Sequence, residues 1–594
     1  MRTTLLYILL SFIAIGARGQ FYLKGEVKDE KFNSLSNVKI FVHSIRAYYH
    51  SGTDGSFGII LKAPEDTLTL SLDGYEEKTV PVHYQTWQRI TLKSLITTAS
   101  KNKQKLISVT TDRQSENRFH FNIPGETYFQ LVENDVINAS RFPNTGFSLN
   151  VNKASYSNVR RFLKMGSPVP PDAVRAEELV NYFNLSYQQP EKGNVFRLES
   201  VLTTCPWQKD NQLLFLNTSA RKIELNNIPS SNFVFLIDVS GSMDEPKRLP
   251  LLKAAFQMFV KNLRDEDRVS IVVYGGNVGI WLRPTSGAMK DTILKSIEEL
   301  EAAGDTPGEA ALRTAYRVAR ENFIPDGNNR IILATDGDFN VGETSEKALE
   351  ELVSRERQSG VYLTCLGVGM GNYKDSKLQT LAKKGNGNYA YLDDIAEAEK
   401  ILVKELTQTM YSIASDAVLN IEFNPALVKS YRLIGFDNRK EALLNSATDL
   451  EGGEVGSGNS TIAIFQITPA SGSMLTGDSI VSSEIGKAFI RYLAPGDTIV
   501  QRVNYDVSPH LQYFNEANQE MKFAATVSYF AMILKMTPYI KPDWDLLEAM
   551  VESSADKTQY LQAEFSQLVD AARKIYDTKR KKSKKGKNKS APIL

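Results

Sequence analysis

The stretch from 231 to 413 constrains this chain most. Four short, nearly continuous apolar runs occur there: FVFLID, RVSIVVYG, RIILATD and VYLTCLGVG. Between or beside them stand the helical patterns LPLLKAAFQMFVKNL, DTILKSIEELEAA, PGEAALRTAYRVARENF and SEKALEELVSRERQSG. A strand with one wet face alternates in polarity, whereas a strand apolar throughout needs cover on both faces. Intervening helices supply that cover, and they supply the crossovers that parallel strands require. The pattern predicts a doubly wound, mostly parallel sheet with helices on both faces. Ligands of such sheets bind beyond the carboxyl ends of the strands.

Three segments carry oxygen to those ends. The first apolar run stops at Asp238, and Ser240 and Ser242 follow at every second position. AAGDTPGEAAL presents Thr306 just before a helix, and ATDGDFNVG places Asp336 at the end of another run. The set holds two carboxylates, three hydroxyls, and no nitrogen or sulfur. It suits a hard cation, Mg²⁺ above all, which keeps waters and takes few carboxylates. Helix capping is the plainer reading of any one of these residues. It does not readily account for all five at the ends of three motifs. Asp244, Glu245, Asp338 and Glu343 are expected at the rim, either solvated or repelling unsuitable acidic partners.

Enzyme chemistries fit poorly. A phosphoaspartyl enzyme needs a second carboxylate two residues after the nucleophile, where Ser240 stands. A serine hydrolase needs a histidine, and none occurs in 231–413. GVGMGN lacks the last glycine of a dinucleotide loop and reads as a tight turn. No catalytic residue is assigned.

The pattern D-x-S-x-S, then T, then D in TDGDFN resembles the metal-ion-dependent adhesion site of von Willebrand factor A domains. The resemblance covers 231–413. It implies that Ser240 and Ser242 ligate the ion through their hydroxyls. Thr306 would ligate directly or through water, and Asp238 and Asp336 would mostly hold ligating waters. The ion would be Mg²⁺, with Mn²⁺ or Ca²⁺ as alternatives. So few direct anions leave it under-neutralised, with a position open to a carboxylate from a protein partner. The resemblance also implies that the last helix of the unit, about 395–410, shifts when the coordination changes. GFSLNVNKASYSNVRRFL, PDAVRAEELVNYF, CPW, GVGMGNYKD and FNPALVKSYRLIGFDNR extend the likeness, over about 120–578, to the bacterial YfbK-like exported proteins. Asn150 and Asn152 depart from the acids expected in that family's first strand.

The rest of the chain frames this unit. MRTTLLYILLSFIAIGARG (1–19) reads as a secretory signal, with a short apolar core and small residues at Ala17 and Gly19. Residues 20–95 alternate with a period of two, as in Val38, Ile40 and Val42. Through GEVKD, SGTDGSF and LDGYEEKTV they resemble the carboxypeptidase regulatory-like β-sandwich. Residues 96–118 are a polar linker, 119–230 a mixed segment of helices and strands, 414–540 β-rich, and 541–578 helical. The fold class is therefore multidomain α/β plus all-β, with β-sandwich domains flanking the α/β unit. Strand-rich sequence on both sides of that unit suggests that it is inserted into a split sandwich.

The tail from Lys579 to Leu594 holds eight basic residues and no acid. Two further basic residues fall in the leader, so 60 of the 70 remain in the body against all 69 acids, a net charge of −9. The tail is expected to be solvated, or else to touch an anionic surface. An exported chain with an acidic body argues against nucleic acid. The two cysteines, Cys205 and Cys365, make no disulfide framework, and the five histidines never pair at zinc-ligand spacing. The sequence as a whole predicts an exported, non-enzymatic protein that binds a protein partner through a divalent cation, in cell-envelope adhesion or assembly. The alternative is an envelope scaffold whose contacts run through its β-domains.

Overall fold

The computed structural model describes residues 21–93, 126, 128 and 131–577, apart from 31, 53, 73–74, 225–227, 305–307, 338–345, 371–372, 437–451, 471–483, 496 and 498. The leader, the linker and the basic tail lie outside the described residues. The chain divides into two compact units, with the boundary at His120.

The first unit is a β-sandwich. Its strands are β1 (Phe21–Lys28), β2 (Lys39–Val42), β3 (Ala47–His50), β4 (Ser56–Leu61), β5 (Glu65–Ser71), β6 (Lys78–His83) and β7 (Gln88–Thr91). They form two sheets, β4-β1-β7 and β3-β2-β5-β6. The alternating residues Leu23, Val27, Ile40, Val42, Leu68 and Leu70 are fully buried between them. Gly55, in the expected tight turn, has φ +79°, and a Cβ there would come 2.6 Å from the Val27 carbonyl oxygen. Glycine is required on both counts.

The second unit begins with β8 (Ile137–Asn138), β9 (Asn144–Ser148), α1 (Ala154–Lys164), α2 (Ala176–Asn181), β10 (Phe196–Thr204) and β11 (Gln212–Ala220). Next comes an α/β unit: β12 (Ser231–Asp238), α3 (Leu249–Lys261), β13 (Arg268–Gly275), β14 (Asn277–Ser286), α4 (Lys290–Glu298), α5 (Gly308–Glu321), β15 (Asn328–Thr335), α6 (Glu346–Glu356), β16 (Tyr362–Val368), α7 (Asp375–Lys384), β17 (Tyr389–Leu392), α8 (Ile395–Glu399) and α9 (Leu406–Met410). A π-helical stretch, Lys400–Lys404, joins the last two helices.

The α/β sheet runs β14-β13-β12-β15-β16-β17 and is parallel except for β14. Every residue of β12 is buried. Phe233, Phe235 and Ile237 pack under α3 and α4, while Val234 and Leu236 face α5, α6 and α7. Cover on both faces is why the strand is apolar throughout. The sheet has two strands beyond the four apolar runs. One is the short β17; the other is β14, an edge strand with little buried face.

The chain closes with β18 (Ser412–Phe423), β19 (Val428–Ile434), β20 (Gly453–Gly456), β21 (Ser460–Pro469), β22 (Gly486–Leu493), β23 (Val500–Val507), β24 (Leu511–Gln512), α10 (Gln519–Lys535), α11 (Trp544–Ser554) and α12 (Tyr560–Tyr576). Strands from before and after the α/β unit interleave in one sheet, β24-β10-β11-β21-β19-β8. The central pairing is antiparallel, with Phe215 opposite Ile464. A second sheet, β20-β18-β22-β23 with β9 on β18, faces it across a core of Leu214, Leu216, Phe465, Leu419, Ile421 and Ile490. The mixed segment 119–230 is thus half of a sandwich completed some 200 residues later. The other face of β11, through Leu213 and Phe215, packs against α1, α2 and α10–α12. No helix among the described residues is long and apolar enough to cross a membrane.

Candidate metal centre

Strands β12 and β15 are hydrogen-bonded parallel neighbours, with Ile237 opposite Ala334. That register sets Asp238 beside Thr335 and places Asp336 one residue beyond, at the carboxyl edge of the sheet. Asp238 is fully buried. Its Oδ1 accepts from the Ser240 amide at 2.9 Å, and its Oδ2 accepts from the Thr335 hydroxyl at 2.8 Å. A carboxylate capping the amide two residues on turns the chain sharply out of the strand. The 3₁₀ turn Gly241–Met243 follows. It brings the Ser240 and Ser242 hydroxyls to 3.2 Å, and Ser242 donates to Asp336 Oδ2 at 2.8 Å. Asp238, Ser240 and Asp336 are buried, while Ser242 is exposed, so the cluster opens to solvent on one side.

Thr306 lies outside the described residues, with its neighbours 305 and 307. The loop leading to it is described. Gly304, at φ +82°, accepts through its carbonyl from the Gly241 amide at 3.0 Å, and the Ala303 amide donates to the Val239 carbonyl at 2.6 Å. Ala303 and Gly304, in the second predicted segment, are therefore anchored against the first. Of the rim acids, Asp244 and Glu245 are exposed, and Asp338 and Glu343 lie outside the described residues.

Burial pushes the Asp238 carboxyl up to about 6; hydrogen bonds from Ser240 and Thr335 oppose this, and the neighbouring Asp336 adds to it. The donors are all oxygens, with two carboxylates and no third acid, histidine or cysteine grouped with them among the described residues. Such a set fits a hard divalent cation completed by hydroxyls and water.

Sequence reading missed one member of the site. Arg248 donates through Nη1 to Asp336 Oδ2 at 2.9 Å and to the Ser242 carbonyl, and through Nη2 to the Met370 carbonyl at 2.9 Å. In the sequence it is one of two adjacent basic residues before a helix, indistinguishable from a solvated charge. Gly369 and Met370, in the GVGMGN stretch, border this arginine. Gly369 has φ +78°, and a Cβ there would come 2.5 Å from Arg248 Nε. Cys205 and Cys365 are free and buried. Asn152, where an acid was expected, accepts from the Tyr389 amide at 3.0 Å, a bond that a neutral amide oxygen makes.

Comparison with known proteins accords with this architecture. The family model "von Willebrand factor type A domain" matches residues 232–404, "Uncharacterized protein YfbK, C-terminal" matches 408–575, and "von Willebrand factor" matches 122–215. YfbK of Escherichia coli (strain K12) is 35% identical over 481 residues, covering 77% of this chain and 83% of that protein. Inter-alpha-trypsin inhibitor heavy chain H2 of Mesocricetus auratus is 28% identical over 208 residues, covering 34% of this chain and 21% of its own length. Among solved structures, a von Willebrand factor type A protein from Catenulispora acidiphila aligns with a TM-score of 0.38 at 14% identity, covering 65% of this chain and 90% of that one. The chain belongs to the YfbK family of von Willebrand factor type A domain proteins.

Proposed function

We propose that this protein is an exported, non-enzymatic binding protein of the cell envelope that takes hold of a protein partner through a divalent cation. The observation that carries this reading is the convergence of Asp238, Ser240, Ser242 and Asp336, from two separate loops, at one open edge of the sheet. Ser240 and Ser242 would hold the ion through their hydroxyls, Asp238 and Asp336 mostly through waters, and Thr306 directly or through water. Bound there, Mg²⁺ (or Mn²⁺ or Ca²⁺) supplies an electropositive centre that a partner's carboxylate completes. Solvent access at Ser242 supports an approach from outside. Export rests on the leader sequence, and contact of the basic tail with an anionic surface on its run of lysines.

The second reading is an envelope scaffold that works through its β-domains. It draws on the exposed aromatic side chains Tyr22, Tyr48 and Trp87 of the first unit. Partner capture from envelope extracts separates the two. The first reading expects capture with Mg²⁺ that is lost with EDTA and with Asp238→Ala. Capture indifferent to both treatments would leave the scaffold reading standing.

A further inference from the structure

We propose that Arg248 is a built-in counter-cation that weakens metal binding and keeps the bound ion hungry for an external carboxylate. The proposal rests on the reading of this edge as a divalent-cation site. Its basis is a contact that the hydroxyl–carboxylate motif does not contain: a guanidinium nitrogen 2.9 Å from a carboxylate of the cluster.

The arginine is not a passing surface charge. Its side chain is only 15% exposed, and its partner Asp336 is 2% exposed. Three carbonyl or carboxylate oxygens fix it, from Ser242, Met370 and Asp336. The backbone passes close beside it at Gly369, at φ +78°, where a Cβ would come 2.5 Å from Nε. Asp336 Oδ2 is shared between this guanidinium and the Ser242 hydroxyl.

Charge counting gives the consequence. Asp238 and Asp336 alone would balance a divalent ion. With Arg248 fixed beside Asp336, the set carries one negative charge, so the loaded site keeps one positive charge. Affinity for hard divalent cations rises with the negative charge of the ligand set, and a cation beside the site opposes loading. The same excess charge favours a carboxylate arriving from outside, which is what a site working by completion needs. Arg248 is a positioning residue in this scheme. It need not touch the ion, because it acts on Asp336 and through the field.

The test titrates the EDTA-stripped full chain with Mn²⁺ alone by calorimetry, with circular dichroism as the check on folding. Removing one positive charge from beside a divalent ion is worth about tenfold in affinity, so Arg248→Met is expected to bind Mn²⁺ about tenfold more tightly than wild type. Arg248→Gln, which keeps a polar tip, should do the same. Arg248→Lys should stay close to wild type, and the gap between Met and Lys should narrow as salt is raised. Unchanged or weaker binding in both neutral variants overturns the proposal and makes Arg248 a prop for Asp336. A wild-type chain that takes up no Mn²⁺ overturns the metal reading itself, and this proposal with it.

Discussion

The last helix of the A domain is clamped by a helix from outside that domain. Arg160 on α1 donates to Asp393 at 2.9 Å, to Glu397 at 2.7 Å and to Glu564 of α12 at 3.1 Å. Seven residues earlier, Lys153 pairs with Glu405 at 2.8 Å, and Lys400 pairs with the same carboxylate at 2.9 Å. The stretch from Lys153 to Arg160 is thus tied by ion pairs to both ends of the 393–405 segment. A slide of one turn, about 5.4 Å, would carry these acids out of reach. Removing one partner of a buried pair costs about 3–5 kcal/mol. Arg160→Met keeps the stem packed but leaves Asp393 and Glu397 without their guanidinium. Lys164 still serves Glu564, which points to the lower end, about 3 kcal/mol, or roughly a hundredfold in local opening. Burial already pushes Asp393 and Glu397 up despite Arg160. Loss of the arginine pushes them further, so both take up protons more readily on acidification. For acids raised in the fold, stability is fully present at low pH and lost as pH climbs through the folded value. The defect should therefore be larger at pH 8 than at pH 5. Amide hydrogen exchange over 395–410 is the assay. Wild type should show the same protection with and without Mg²⁺, and Arg160→Met about a hundredfold less. Protection within about threefold of wild type in Arg160→Met, or a large Mg²⁺-dependent change in wild type, would refute the clamp.

Three further outcomes are expected. Glu454→Gln strands the buried guanidinium of Arg330 and should cost about 3–5 kcal/mol in chemical denaturation; Arg330→Met with Glu454→Leu should recover most of it. Burial pushes Glu178 up to about 7, even though Arg175, which it shares with Asp375, stands 3.5 Å from its carboxylate and opposes the shift. Its contribution to stability is present below about pH 4.5 and lost as pH rises through about 7, so wild type should lose about 3 kcal/mol against Glu178→Gln across that window in parallel urea titrations. Cys205 is pushed by burial up to about 12 and Cys365 is raised further, so a thiol reagent should label neither in the native protein and both in denaturant.

The A-domain sheet was legible because burial on both faces writes itself into residues such as Phe233–Ile237. The meeting of Asp238, Ser240, Ser242 and Asp336 was legible because they stand where those runs stop, while Thr306 lies outside the described residues. Strand β14 was not, since an edge strand carrying exposed Ile280 and Trp281 has no alternation to read. Arg248 was hidden for another reason. Its meaning depends on Asp336, 88 residues away, and a lysine–arginine pair in a polar loop reads as solvated charge. The same holds for Arg160, Arg175 and Arg330, all buried on carboxylates remote in sequence. Periodicity reports which faces are dry; it does not report which charges find partners there. The split sandwich lay between these cases. Its alternation marked strands on both sides of the A domain, but only the shared core fixes β11 against β21.

Insertion into that sandwich determines how the carboxyl edge of the A-domain sheet is held. Chain entry and exit meet at the amino end of β12, where the Ser231 hydroxyl lies 2.9 Å from the Tyr411 hydroxyl. Asp238 is at the other end of the same strand, about 23 Å away at 3.3 Å per residue. A domain tethered only there would leave its opposite edge free to swing. The flanking helices remove that freedom. Arg175, preceding α2, grips Asp375, and Tyr389 donates to the same carboxylate at 2.8 Å. Asp375 adjoins Lys374, whose amide would sit 2.5 Å from any Cβ on Gly337. Gly337, at φ +91°, directly follows Asp336. The backbone carrying one acid of the cluster therefore rests on a loop that a flanking arginine holds down. Arg248 ties the same edge to Met370 at the other side of that loop. The edge formed by Ser242, Arg248 and Met370 is thus held in place relative to the sandwich by contacts on both sides of that stretch.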